Sequence, residues 1–127
     1  MSTLTPYVMV ESARPFAEFL SDVFDAAVCN VVPLHTDPER VMHAEARIGS
    51  AELYFADAGP DGGQCQRLPT EPAHIQLWTT VPDAETTHAR AITRGATSVM
   101  EVTRQDDHSR LGGFVAFGAL WWVSTAA

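Results

Sequence analysis

The sequence contains no lysine: all eight basic residues are arginine, against sixteen acidic ones, for a formal net charge of −8. A chain with that balance lacks the basic face that releases counterions from nucleic acid, and an anionic membrane surface is disfavoured for the same reason. No apolar run approaches the roughly 18 residues needed to cross a bilayer, and the N-terminus has no basic segment leading into an apolar stretch. A soluble, cytoplasmic protein is the expectation. Cysteine is scarce too. Cys29 sits in an apolar run and Cys65 in a Gly/Gln-rich loop, a spacing that gives neither a zinc site nor a disulfide framework, so both are expected to stay reduced. Charged residues are only 19% and hydrophobic ones 46% of 127 residues, the composition and length of one folded domain rather than a disordered chain.

What is present is periodic. Thr5 to Val10 is a short apolar strand, and Ser12 is positioned to cap a helix whose first turn tolerates Pro15. Phe16, Phe19, Leu20, Val23 and Phe24 fall at i, i+3, i+4, i+7 and i+8, one apolar stripe, with Glu18, Ser21, Asp22 and Asp25 on the other side. Ala27 to Leu34 is apolar and β-branched, and His35-Thr36-Asp37-Pro38 reads as a turn. From Met42 the residues alternate: Met42, Ala44, Ala46 and Ile48 share one face, His43, Glu45 and Arg47 the other. After Gly49-Ser50, Ala51 to Asp57 alternates again, with Leu53 and Phe55 opposed to Glu52 and Tyr54.

Residues 58–71 collect Gly, Pro and polar residues without periodicity, which marks a linker or loop. The pattern then restarts. Ala73 to Val81 alternates, placing His74, Gln76 and Trp78 opposite Ile75 and Leu77. Asp83 caps a helix to about Arg94 whose stripe is chiefly Ala84, Ala91 and Ile92. Gly95 stands at the helix stop, and Thr97 to Thr103, Phe114 to Phe117 and Leu120 to Ser124 are strands. Ser12 and Asp83 open equivalent helices about 70 residues apart, and Asp25-Ala26-Ala27 answers Gly95-Ala96-Thr97. The order βαβββ therefore occurs twice, at about 3–57 and 73–125. Neither copy buries a sheet face alone, so an α+β fold is expected in which paired modules form a curved mixed sheet around a cleft, with helices outside.

In this order and spacing the chain resembles the vicinal oxygen chelate superfamily of glyoxalases, bleomycin resistance proteins and extradiol dioxygenases. It looks most like the PhnB-like branch. The resemblance is carried by Thr5-Pro6-Tyr7-Val8, Val23-Phe24-Asp25-Ala26, His43 to Gly49, the loop from Asp57 to Gly63, and Val81 to Glu85 with Arg94-Gly95-Ala96. It covers essentially the whole chain. It implies a homodimer with ligand clefts and, in the metalloenzymes, a divalent ion held by His, Gln or Glu from the first and last strands of each module.

Carried over residue by residue, those slots fall on Thr5 or Tyr7, on Gln76 with His74 beside it, on Glu52 or Tyr54, and on Trp122, which binds no metal. An open metal site needs about three protein ligands, and the candidates are His74, Gln76 and Glu52. The Asp-Pro-x-Gly turn frequent before the family's last strand is reduced to Ala116-Phe117-Gly118. The reading is therefore a small-molecule binding protein with no cofactor. Its cleft is lined by Tyr7, His43, Glu52, Tyr54, His74, Gln76, Trp78 and Trp122. The alternative is a lyase, isomerase or dioxygenase using zinc, nickel or manganese on vicinal oxygens; a regulatory dimer with a collapsed cleft is a third reading. His74 is either a cleft group or a strand-end histidine bonded to backbone, and His43 either lines the cleft or lies on a solvated strand face. Adjacent Trp121 and Trp122 must point to opposite faces, one under a helix and the other toward a ligand or partner.

Overall fold

The computed structural model describes residues 4–58 and 76–127. In chain order its elements are β1 (Tyr7–Val10), α1 (Ala13–Phe24), β2 (Ala27–Leu34), β3 (Asp37–Ile48), β4 (Ala51–Asp57), β5 (Gln76–Thr80), α2 (Ala84–Thr93), β6 (Thr97–Arg104), β7 (Arg110–Ala116) and β8 (Ala119–Thr125). The order βαβββ is present twice, and the fold is α+β. The strands form two mixed four-stranded sheets, β1-β4-β3-β2 and β5-β8-β7-β6. In each, the first strand of the module runs parallel to the last and the remaining neighbours are antiparallel. Two compact units result: one holds β1 to β4 with most of α1, the other β5 to β8 with α2 and the last turn of α1, Asp22–Phe24.

In the first unit the apolar stripe of α1 is buried along Phe16, Phe19 and Leu20, and Val23, in the second, is buried as well. Phe16 meets Phe55 of β4 edge to face at 5.1 Å between ring centroids. Val41, Ala44, Ala46 and Leu53 are all buried, so Ala44, Ala46, Leu53 and Phe55 fall on the face the alternation predicts. Met42, expected with them, is exposed, and Val41, whose N–H is held by Asp57, takes the buried place. Strand β3 starts at Asp37, five residues earlier than the alternation suggests, because the turn uses only His35 and Thr36 and Leu34 pairs directly with Asp37. Strand β2 lies at the sheet edge. It carries register shifts between Cys29 and Leu34 and admits Pro33, whose missing N–H is tolerated at an edge.

In the second unit α2 packs on β6, β7 and β8. Phe114, Trp121 and Val123 form the buried layer, and the Trp121 Nε1–H donates to the Ala116 carbonyl at 3.0 Å. Phe24 stacks on Trp121 at 5.4 Å. The face α2 buries is Ala84, Thr87, His88 and Ala91, while Ile92 is 39% exposed, so the expected stripe is displaced by one position at its end. A polar pair explains it: His88 Nε2 lies 3.1 Å from Ser98 Oγ, and its ring meets Phe114 edge-on, which satisfies an otherwise costly buried imidazole.

Strand β7 begins at Arg110 rather than Phe114. Gly112 and Gly113 are inside it because no side chain fits there. A Cβ on Gly112 would come within 2.7 Å of Val102 Cγ2, and one on Gly113 within 2.9 Å of the Trp122 ring. The β7–β8 hairpin turns on Phe117 and Gly118, both at positive φ, which is the primed two-residue turn that matches strand twist.

Helix ends follow the expected pairing at one end only. Asp25 and Gly95 both sit at positive φ after their helices, as their equivalence requires. At the starts the two differ. Asp83 accepts from the backbone N–H groups of Glu85 and Thr86, but Ser12 makes no side-chain cap bond. The expected role of Ser12 passes to Asp57, 5% exposed, whose Oδ1 accepts from Ala13 N–H at 3.0 Å while Oδ2 accepts from Val41 N–H. Thr125 Oγ1 is the counterpart in the second unit, accepting from Ala84 N–H. In each module the end of the last strand thus holds the first N–H of that module's helix.

Candidate functional sites on the two sheets

The face of the first sheet turned away from Leu53 and Phe55 carries a cross-strand row, Tyr7, Tyr54, Glu45 and Cys29, in direct register over four strands. His43 lies beside it on β3. Its Nε2 is 2.9 Å from Glu45 Oε2, and the other carboxylate oxygen, Oε1, accepts from Asn30 Nδ2 at 2.8 Å. The imidazole is walled by two phenol rings, Tyr54 edge-on at 5.1 Å and Tyr7 at 6.0 Å. The hydrogen bonds from Asn30 and from His43 hold the Glu45 carboxyl below its ordinary range. The same carboxylate, with Glu52 behind it, raises the Tyr54 phenol, which therefore keeps its proton. Glu52 itself is paired with Arg47 at 2.9 Å.

Glu45 and Asn30 complete this network, and sequence reasoning placed neither in it. The alternation put Glu45 on the face of His43, but nothing in the pattern reveals that Asn30 takes a left-handed backbone, φ 52°, at the irregular part of β2. Asn is among the few residues that tolerate such a conformation, and that was the available signal.

The corresponding face of the second sheet is apolar. Trp78, Trp122 and Gly113 lie in register across β5, β8 and β7, with Gln76, Leu120 and Val115 as the next row. The missing side chain of Gly113 lets the benzo edge of Trp122 lie down on β7, and its Nε1–H donates to Gln76 Oε1 at 2.9 Å on the other side. The indole therefore spans three strands and is pinned at both ends. Trp78 beside it is 61% exposed, while Trp121 is buried on the opposite face, as strand alternation requires of adjacent residues.

Of the expected metal ligands, Gln76 and Glu52 are among the described residues. His74 lies outside them, as does Cys65, while Gln76 and Glu52 belong to different compact units. Gln76 spends its oxygen on Trp122 and Glu52 is paired with Arg47. No group of three or more His, Cys, Asp or Glu among the described residues is placed to hold a metal ion.

A surface depression of about 400 Å³ lies along α2, lined by Asp22, Thr86, Ala89, Arg90, Thr93 and Arg94. It includes none of the sheet-face residues, and Asp22 neutralises Arg94 at 3.1 Å. Among the described residues no helix is long and apolar enough to cross a membrane.

No family model and no curated protein matches the chain. Solved structures do. It is similar to the PhnB protein of Bacillus cereus (15% identity, 98% of this chain and 100% of that one, TM-score 0.72). It is similar also to the fosfomycin resistance protein FosX of Listeria monocytogenes (12% identity, 100% and 94%, TM-score 0.71). A glyoxalase/bleomycin resistance protein/dioxygenase family enzyme of Burkholderia phytofirmans PsJN is matched at 12% identity, with 97% of both chains covered and a TM-score of 0.74. With two βαβββ modules, two mixed sheets and these neighbours, the chain has the fold of the vicinal oxygen chelate superfamily.

Proposed function

We propose that the protein binds a small planar molecule, in the manner suggested by the bleomycin resistance name among its structural neighbours, and does so without a catalytic metal. The observation that carries this reading is Trp122. At the position where the resemblance expects a final-strand ligand, an indole lies flat, seated on Gly113 and tied to Gln76. A ring held at both ends loses little freedom when a second ring stacks on it, and Trp78 extends the surface. The acidic balance of the chain, −8, favours a ligand of positive charge.

Titration with a planar cationic dye such as acridine orange is the test. Saturable binding weakened about tenfold by Trp122→Ala, equivalent to about 1.4 kcal/mol, supports the reading. Non-saturable uptake, or binding indifferent to that substitution, removes it. The metal-free part has its own measurement: sub-micromolar binding of zinc, nickel or manganese in calorimetric titration, abolished by His74→Ala, would restore the metalloenzyme alternative. A homodimer belongs to the same proposal, motivated by the short edge strand β1, and light scattering that gives a monomer mass at tens of micromolar contradicts it.

A further inference from the structure

We propose that His43 is the base of a metal-independent hydrolytic site on the first sheet, with Glu45 and Asn30 as its positioning residues, acting on small neutral esters with a planar aromatic leaving group. This goes beyond the binding reading above and uses the other sheet.

The geometry is that of an oriented base. Glu45 is gripped from both sides, Oε1 by Asn30 at 2.8 Å and Oε2 by His43 Nε2 at 2.9 Å. A carboxylate so held takes the Nε2–H of a neutral imidazole, which leaves Nδ1 as the unprotonated nitrogen. Among the described residues no hydrogen bond reaches Nδ1. The ring cannot swing freely, because Tyr54 and Tyr7 stand edge-on against it. Asn30 holds its end of the network from a left-handed backbone, φ 52°, and such conformations gather at sites where position is held for a reason. A purely structural surface pair would need neither a second clamp on the carboxylate nor two aromatic walls.

The step balances without a cofactor. Water bonded to His43 Nδ1 gives up a proton: its O–H bond breaks, an N–H bond forms, and the oxygen electron pair makes the new bond to the ester carbonyl carbon. The imidazolium is stabilised by the Glu45 carboxylate through Nε2–H. As the tetrahedral intermediate collapses, the carbon–oxygen bond to the leaving group breaks and Nδ1–H returns its proton to that oxygen, so acid, phenol and free imidazole result. Tyr54, which keeps its proton in the field of Glu45 and Glu52, is a hydroxyl donor on the same face for the developing oxyanion. The phenol rings supply a surface for an aromatic leaving group.

Hydrolysis of 4-nitrophenyl acetate by the full chain tests it. The absence of lysine removes the commonest source of background aminolysis, and His35→Gln and His108→Gln, remote in role, leave the rate unchanged. His43→Gln is expected to lower kcat/KM about 100-fold, the usual size of a general-base contribution. Glu45→Gln is expected to lower kcat about tenfold with KM little changed, as loss of orientation and of imidazolium stabilisation predicts. A wild-type rate no greater than that of free imidazole at equal concentration overturns the proposal, as does a His43→Gln protein that retains the wild-type rate. Should His43→Gln fail to fold, site-resolved acylation of the wild type by diethyl pyrocarbonate gives the same decision. His43 is expected to react several-fold faster than exposed His35, and to lose that advantage in Glu45→Gln. Equal labelling of the two histidines, or labelling insensitive to Glu45, overturns it. The dye titration on the tryptophan face is read independently, so either proposal can fail alone.

Discussion

The two modules share a strand order and differ in what they place on equivalent faces. The first presents a polar set, Tyr7, Tyr54 and the hydrogen-bonded pair of His43 and Glu45; the second presents Trp78, Trp122, Leu120 and Val115. Backbone topology is thus indifferent to the chemistry it carries. Strand parity decides which residues reach a face, and the residue types there decide what the face does. The helix starts repeat the lesson. Both first N–H groups are held from the last strand of the module, in one case by a carboxylate that also bonds a second strand and in the other by a single hydroxyl.

That comparison can be broken first in the two cores. Phe55→Ala and Phe114→Ala, each truncating a buried ring, are expected to cost about 4 kcal/mol apiece in denaturant unfolding. Two separate unfolding transitions, each shifted by one substitution and not the other, would show that the modules do not share one cooperative transition. Asp57→Ala comes next: it strands two buried N–H groups, those of Ala13 and Val41, and an expected loss of about 3 kcal/mol follows. Its counterpart Thr125→Val abandons one N–H and should cost about 1 kcal/mol. A Thr125 effect equal to that of Asp57 would contradict the unequal burden assigned to the two caps.

Smaller still is the contrast between nominal caps. Asp83→Ala, which leaves the N–H groups of Glu85 and Thr86 without their acceptor, is expected to lower the unfolding midpoint measurably. Ser12→Ala, whose hydroxyl caps nothing, should change the unfolding free energy by less than about 0.5 kcal/mol. The pH dependence sharpens the same point. Thr86 hydroxyl, then its backbone N–H, depress the Asp83 carboxyl, and Asn30 and His43 depress that of Glu45. Both folded values lie below their unfolded ones, so the stability they contribute is complete above the ordinary carboxylate range and is lost as pH falls through it to the lower folded values. Thermal melts of Asp83→Asn and Glu45→Gln should accordingly differ from the parent at neutral pH and converge with it in acid.

Much of this arrangement was legible in the sequence because alternation is a local property. The opposed sets Leu53/Phe55 and Glu52/Tyr54, and the division of Trp121 from Trp122, needed only a period of two. What escaped was set by distant partners. Gly112-Gly113 resembles a break until Val102 and the Trp122 ring are seen to fill the space above it. Ser12 has the residue type of a cap, and only the parallel pairing of β1 with β4 brings Asp57 to take its place. His88 and Thr87 are polar by type and buried by contact with β6 and β7. The link from Asn30 to Glu45 crosses fifteen residues and an irregular strand, beyond any pattern that spacing alone supplies.

The caps also carry a kinetic consequence. The bond from Asp57 to Ala13 closes a separation of 44 residues and that from Thr125 to Ala84 one of 41, each nearly a whole module. Neither helix start is finished until its module's last strand has paired with the first, an event of high loop-closure cost. Helix and sheet are therefore expected to mature together rather than in succession. Removing either cap should leave folding rates almost untouched while unfolding accelerates, which is the signature of a latch that engages after the transition state.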